Sequence, residues 1–263
     1  NSTGTILGGS TETGAFTLIS NGGVALTGPL DIDGPASVTV VADDADVDLT
    51  QAGNAFSGSI TIVSDDTNAN DAEDISLTNS LDIDLGGTTE SGTLTVTALT
   101  GGITQSGALD VGGASSFTTV IDDADITLTD GGNNLGGPIT FVSDDTNAND
   151  AEDIDLVNSV AAILGGTTES GTLDVTAVTG NISQTGPLDA GGAASFTTQA
   201  DDATITLTDA GNLLNGGVTF NSTDTNANDT EAVALTNATA TVLAGTTETG
   251  DFTLVSGGGV TQT

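Results

Sequence analysis

The stretch S-D-D-T-N-A-N-D-A-E-D-I at residues 64–75 returns unchanged at 143–154, and an altered copy, S-T-D-T-N-A-N-D-T-E, begins at Ser222. Ser64, Ser143 and Ser222 are equally spaced. The same 79-residue interval separates G-G-T-T-E-S-G-T-L at 86–94 from its identical copy at 165–173 and from A-G-T-T-E-T-G-D-F at 244–252. It also links Asn79-Ser80, Asn158-Ser159 and Asn237-Ala238. A fixed period of this kind constrains a fold more than any other sequence feature, because one supersecondary unit must then be stacked on copies of itself. The 263 residues divide into units 1–78, 79–157 and 158–236, with the opening of a fourth at 237–263. We read them as one continuous solenoid with no separate domain. Neither end departs from the pattern to form a cap, so the expectation is a segment of a longer array or a unit that stacks end to end.

Within each unit, runs such as TLTVTA, ASSFTTV and GPITFVS alternate apolar residues with Thr or Ser, the period of a half-buried strand. One inward position per run gives the series Phe16, Val38, Ile62, Leu94, Phe117, Phe141, Leu173, Phe196, Phe220 and Phe252. From Leu94 onward the intervals in this series run 23, 24 and 32, repeatedly. The spacing predicts an all-β parallel β-solenoid (β-helix) with about 24 residues per coil, three short strands per coil and three coils per 79-residue repeat. Like residues then stack on like, with the Phe series as an interior ladder. Gly, Asn-Gly and Asp-Gly sit where corners need positive φ.

Composition narrows function. There is no Lys, Arg or His against 37 acids, 30 of them Asp. Such a charge repels nucleic acid and anionic membrane, and it opposes the compact state unless cations are bound. No apolar run approaches the ~18 residues of a spanning helix, so membrane insertion is not expected. Absence of Cys removes disulfides and thiolate ligands. Disorder fits badly with 36% apolar residues in alternating runs.

The acidic stretch lies in the 32-residue interval, and what persists in all three copies is D-x-N-x-N-D-x-E. The candidate metal ligands are Asp66, Asn68, Asn70, Asp71 and Glu73, then Asp145, Asn147, Asn149, Asp150 and Glu152, then Asp224, Asn226, Asn228, Asp229 and Glu231. Oxygen donors at alternate positions can wrap a hard cation that takes six to eight oxygens, so calcium is the expected cofactor. Zinc and copper lack nitrogen or sulfur ligands. The loop is not an EF-hand, which needs Gly where Asp71 stands and Glu where Leu77 stands. The competing reading is a solvated acidic loop. Stacking favours the metal: copies three coils apart would lie roughly 14 Å apart along one edge, little more than a Debye length. A second acidic corner, Asp43-Asp44-Ala45-Asp46, recurs as Asp122-Asp123-Ala124-Asp125 and as Asp201-Asp202.

The run G-T-L-T-V-T-A-L-T-G-G-I-T-Q-S-G-A-L-D-V-G-G at 92–113, followed by A-D-I-T-L-T-D-G-G-N-N-L-G-G-P-I-T-F at 124–141, resembles the β-strand repeats of giant bacterial surface exoproteins of the filamentous-haemagglutinin and autotransporter-adhesin type. The resemblance covers the whole chain and implies a right-handed, secreted β-helix acting at the cell surface as a stalk or adhesive fibre. The long Asp-rich loops and the lack of Lys and Arg depart from that pattern. The expected function is therefore a calcium-stabilised extracellular fibre, stalk or adhesin segment. Its expected partners are neighbouring coils or copies of the same protein, and cell-surface glycans or proteins. The runner-up is a surface-layer or matrix filament made by head-to-tail stacking. An ice-binding solenoid would use outward Thr rows, but unequal coils spoil a flat face; a salt-adapted acidic protein would need no specific sites. Catalysis is not expected, because the Asp clusters repeat with the fold and no His, Lys, Cys, Tyr or Arg is available as base, nucleophile or clamp.

Overall fold

Alternation places every second side chain of a strand on one side of the sheet, and in the computed structural model that side is the interior of a parallel β-solenoid. The structure describes residues 4–64, 73–90, 92–143, 152–169, 171–222, 231–247 and 250–263. Two main sheets face each other, each a path of twelve strands, so the chain makes about 11 turns. Neighbouring turns pair in parallel. A short third wall, built from strands such as Ser10–Glu12, Leu30–Ile32 and Ala55–Phe56, closes one edge of the first unit. At ~4.8 Å per turn the stack rises about 50 Å.

Strand Ser115–Thr119 shows how the pattern fills the core. Ser115, Phe117 and Thr119 point inward, and Ser116 and Thr118 outward. Phe117 pairs in register with Phe141, and their rings stack with centroids 5.7 Å apart. Phe196 and Phe220 repeat this at 5.8 Å. A fully buried Phe contributes roughly 2–3 kcal/mol of transfer free energy, so the stacked interior is the main source of cohesion.

The number of turns per repeat differs from the expected three. Strand Ile75–Asn79 belongs to the first sheet, its counterpart Ile154–Asn158 to the second, and Val233–Asn237 to the first again. The 79-residue repeat is therefore three and a half turns. Each of the units 79–157 and 158–236 adds seven strands to the two main paths, and an odd number returns the next unit to the opposite sheet. Turn length is not uniform either. The sequence separation across one turn ranges from 19 (Asp74 to Thr93) to 28 (Asp46 to Asp74). The 32-residue interval is a turn and a half. From Phe141 in the first sheet the chain passes through Ile154–Asn158 and Ala162–Glu169 before Leu173 arrives in the second. The Phe ladder is accordingly split, Phe117–Phe141 on one sheet and Phe196–Phe220 on the other.

Corners bury backbone groups that the sheets cannot pair, and asparagines satisfy them. Asn158 is fully buried. Its Oδ1 accepts from the Leu135 amide (2.9 Å), and its Nδ2 donates to the carbonyls of Leu135 (3.1 Å) and Ala161 (2.8 Å). Asn79 makes the same three bonds to Phe56 and Asp82, and Asn237 to Leu214 and Ala240. This explains why that Asn marks the repeat. Replacing Asn158 with Ala strands three buried polar groups at about 1–3 kcal/mol each. We expect a loss on the order of 3 kcal/mol or more in urea unfolding, whereas outward Thr118→Ala changes stability by under about 1 kcal/mol.

Candidate metal site

The half-turn offset decides which strands flank each acidic stretch. Residues 65–72 run from strand Ile60–Ser64 of the second sheet to Ile75–Asn79 of the first, and residues 144–151 from Pro138–Ser143 of the first to Ile154–Asn158 of the second. Residues 223–230 again connect second to first. Glu73 and Glu231, which close the first and third copies, therefore lie at one edge and Glu152 at the opposite edge, not in one shared row. Glu73 and Glu231 are seven turns apart, about 33 Å, far beyond a Debye length of ~8 Å. Of the expected ligands, Asp66, Asn68, Asn70, Asp71, Asp145, Asn147, Asn149, Asp150, Asp224, Asn226, Asn228 and Asp229 lie outside the described residues. Glu73, Glu152 and Glu231 lie within them, and each is 0% exposed.

These three glutamates reach across to the second acidic corner. Asp44 has φ 58°, a left-handed conformation that Asp tolerates better than most residues. This turn aims its amide at the turn above, where it donates to Glu73 Oε1 (2.9 Å). Asp123 (φ 64°) and Asp202 (φ 61°) donate likewise to Glu152 Oε1 (3.0 Å) and Glu231 Oε1 (3.1 Å). In the first unit, one ligand oxygen each from Asp43, Asp44 and Glu73 lie within 4.8 Å of one another. Three carboxylates from two successive turns thus converge, with only oxygen donors, on a position suited to a hard divalent cation. Asp43 and Asp44 stand a full turn of chain before Glu73, so local spacing does not reveal the pairing. The signal in the residues is that both acidic segments recur with the same 79-residue period.

The acids form a vertical series within each edge. Asp46 Oδ1 accepts from the Asp74 amide (3.1 Å), and Asp74 Oδ1 accepts from the amide (2.8 Å) and hydroxyl (2.9 Å) of Thr93 on the next turn. Asp125, Asp153 and Thr172 repeat this arrangement on the opposite edge. One corner on, Glu90 and Glu169 end the long strands Ile83–Glu90 and Ala162–Glu169, buried and with neither carboxyl oxygen hydrogen-bonded. Burial first, then Asp74 and Glu73, pushes Glu90 up to about 8. Burial first, then Asp189, Asp153 and Glu152, pushes Glu169 up to about 9. Asp155 is also raised, by burial and then by its in-register neighbour Asp174 ahead of Asp153 and Asp125. Sequence reasoning missed Glu90 and Glu169, which sit inside a Gly- and Thr-rich segment that reads as a turn.

The chain belongs to a family described as repeats of unknown function (DUF5649), whose model matches residues 1–63, 72–142 and 145–221. Each matched segment ends on the strand that precedes an acidic stretch. No curated protein and no solved structure matches the chain.

A raised carboxyl pKa means that the folded state holds a proton the unfolded chain has released. In metal-free protein the stability from Glu90 and Glu169 is fully present below the unfolded value of 4.5 and is lost as pH rises through about 8 and about 9. Melting temperature in EDTA should therefore fall steadily from pH 5 to pH 9, and Glu90→Gln with Glu169→Gln should flatten that decline.

Proposed function

We propose that this chain is a structural rod, a segment of an extracellular fibre, stalk or adhesin, whose successive turns are pinned along both edges by calcium. The observation that carries the reading is the cluster of Asp43, Asp44 and Glu73, formed by two turns and echoed by the Asp123–Glu152 and Asp202–Glu231 contacts. A chain with 37 acids and no basic side chain cannot neutralise such a corner internally. Two unit charges one turn apart repel by roughly 3 kcal/mol at an effective dielectric of ~20. A divalent ion turns that repulsion into a link between turns. Three carboxylates, completed by water, suit the affinity class of extracellular calcium modules, about 10⁻⁴–10⁻³ M, and this supports a location at the cell surface.

Outward Ser and Thr rows give the rod hydrogen-bonding faces for glycans, proteins or neighbouring copies. No catalytic role is proposed, since the carboxylates recur with the repeat and no histidine, lysine or cysteine accompanies them.

Calcium should raise the melting temperature of EDTA-treated protein, with stabilisation of ~2.7 kcal/mol per site at a hundredfold excess over Kd. The triple substitution Glu73→Gln, Glu152→Gln and Glu231→Gln keeps an oxygen for the Asp44, Asp123 and Asp202 amides but removes the charge. It should fold and lose the response to calcium. If sodium chloride at equal ionic strength stabilises the wild type as fully as calcium does, general adaptation to salt replaces the site-specific reading.

A further inference from the structure

A buried carboxyl group without a hydrogen-bond partner is costly in either protonation state, and far more so when charged. Glu90 and Glu169 are each 5% exposed with both oxygens unpartnered, and they occupy equivalent places on opposite edges. Their recurrence in two units marks a built feature.

Strand Ile83–Glu90 turns Ile83, Leu85, Thr88 and Glu90 inward, so Glu90 faces the corner that the wholly buried Glu73 fills one turn earlier. The Thr88 hydroxyl is likewise buried without a partner. Asp74 stands beside Glu73, and its Oδ1 is taken by Thr93. Gly92 lets these turns approach closely: a Cβ there would lie 2.6 Å from Asp74 Oδ1 and 2.7 Å from the Glu73 carbonyl oxygen. At Gly171 the corresponding distances are 2.4 Å to Asp153 Oδ1 and 2.8 Å to the Glu152 carbonyl oxygen.

We propose that these corners are a second pair of divalent-cation positions, one formed by Glu90 with Asp74 and Glu73, the other by Glu169 with Asp153 and Glu152. The proposal rests on the reading that the edge acids hold calcium, and adds a buried ion one turn beyond Glu73 and another one turn beyond Glu152. Glu90 can chelate through both oxygens, Asp74 through Oδ2, and the Thr88 hydroxyl as a neutral donor, an all-oxygen set suited to a small hard cation. The three carboxylates are not drawn within 4.8 Å of one another as those of Asp43, Asp44 and Glu73 are. Glu90 has three rotatable side-chain bonds to close that distance, and glycine at position 92 lets the Asp74 turn pack against its own. Glu73 then links both ions, and three successive turns are tied in one line. The third unit carries Ala232 where Asp74 and Asp153 stand, so only two such corners are complete.

The test counts calcium bound to the full chain by equilibrium dialysis after EDTA treatment, in wild type and in Glu90→Gln/Glu169→Gln. The variant should bind one ion fewer for each glutamate removed, and the triple Glu73, Glu152 and Glu231 variant should lose both classes. Equal stoichiometry in wild type and the Glu90/Glu169 variant overturns this inference while leaving the Asp–Asp–Glu reading intact. No calcium bound by wild type overturns both. Terbium luminescence lifetimes of wild type in H2O and D2O decide the matter even if the variant fails to fold. A class of ion with few bound waters is expected, and uniformly well-hydrated ions would refute the buried position.

Discussion

Parallel strands in register repeat a side chain about every 4.8 Å along the stack, and that one spacing governs both what holds this rod together and what threatens it. Applied to Phe117 and Phe141 it yields ring contact at 5.7 Å. Applied to carboxylates it yields repulsion, since Asp44, Glu73 and Glu90 occupy successive turns of one edge. Hydrogen bonds relieve part of it. Glu73 accepts the Asp44 amide, and Asp74 accepts two donors from Thr93. Accepting donors does not remove net charge, and with no basic residue in the chain the remainder falls to ions from solution.

The odd number of main-path strands per unit controls how this chemistry is distributed. Had the repeat closed on a whole number of turns, Glu73, Glu152 and Glu231 would all have lined one edge. Three and a half turns carry Glu73 and Glu231 to one edge and Glu152 to the other. The third wall follows the same rule. Leu109–Val111 pairs with the end of the long second-sheet strand, and Leu188–Ala190 with its first-sheet counterpart. The rod thus shows similar faces in opposite directions, alternating about every 17 Å along its axis. Charge accumulates over adjacent turns within a unit and is diluted between units.

Much of this is legible in the residues. Alternation in runs such as ASSFTTV and the 79-residue period specify strands, inward positions and a stacked parallel architecture, because both are properties of neighbouring residues. The half-turn is not legible. Phe141 and Leu173 look alike as inward anchors whichever sheet they enter, so a turn and a half reads as one long coil. Glu73 stands out as a ligand candidate through its repeated motif. Its partners Asp43 and Asp44 show only as a separate acidic row, since the contact crosses a full turn of chain. Glu90 and Glu169 are hidden because a charged residue among Gly and Thr suggests a solvent-exposed turn; the long strand instead runs inward through a bulge, where the register skips at Gly86. The buried Asn79, Asn158 and Asn237 are visible as markers of the period, and their bonds to corner backbone supply the physical reason.

Whether divalent cations bridge the stacked edge carboxylates is open to direct observation. Anomalous difference maps from crystals grown in millimolar calcium, collected at long wavelength, would locate the ions. Peaks are expected between the carboxylates of Asp43, Asp44 and Glu73 on one edge and beside the Asp123–Glu152 contact on the other. Well-ordered carboxylates at both places with no anomalous peak at either would show that the turns are held without bridging ions.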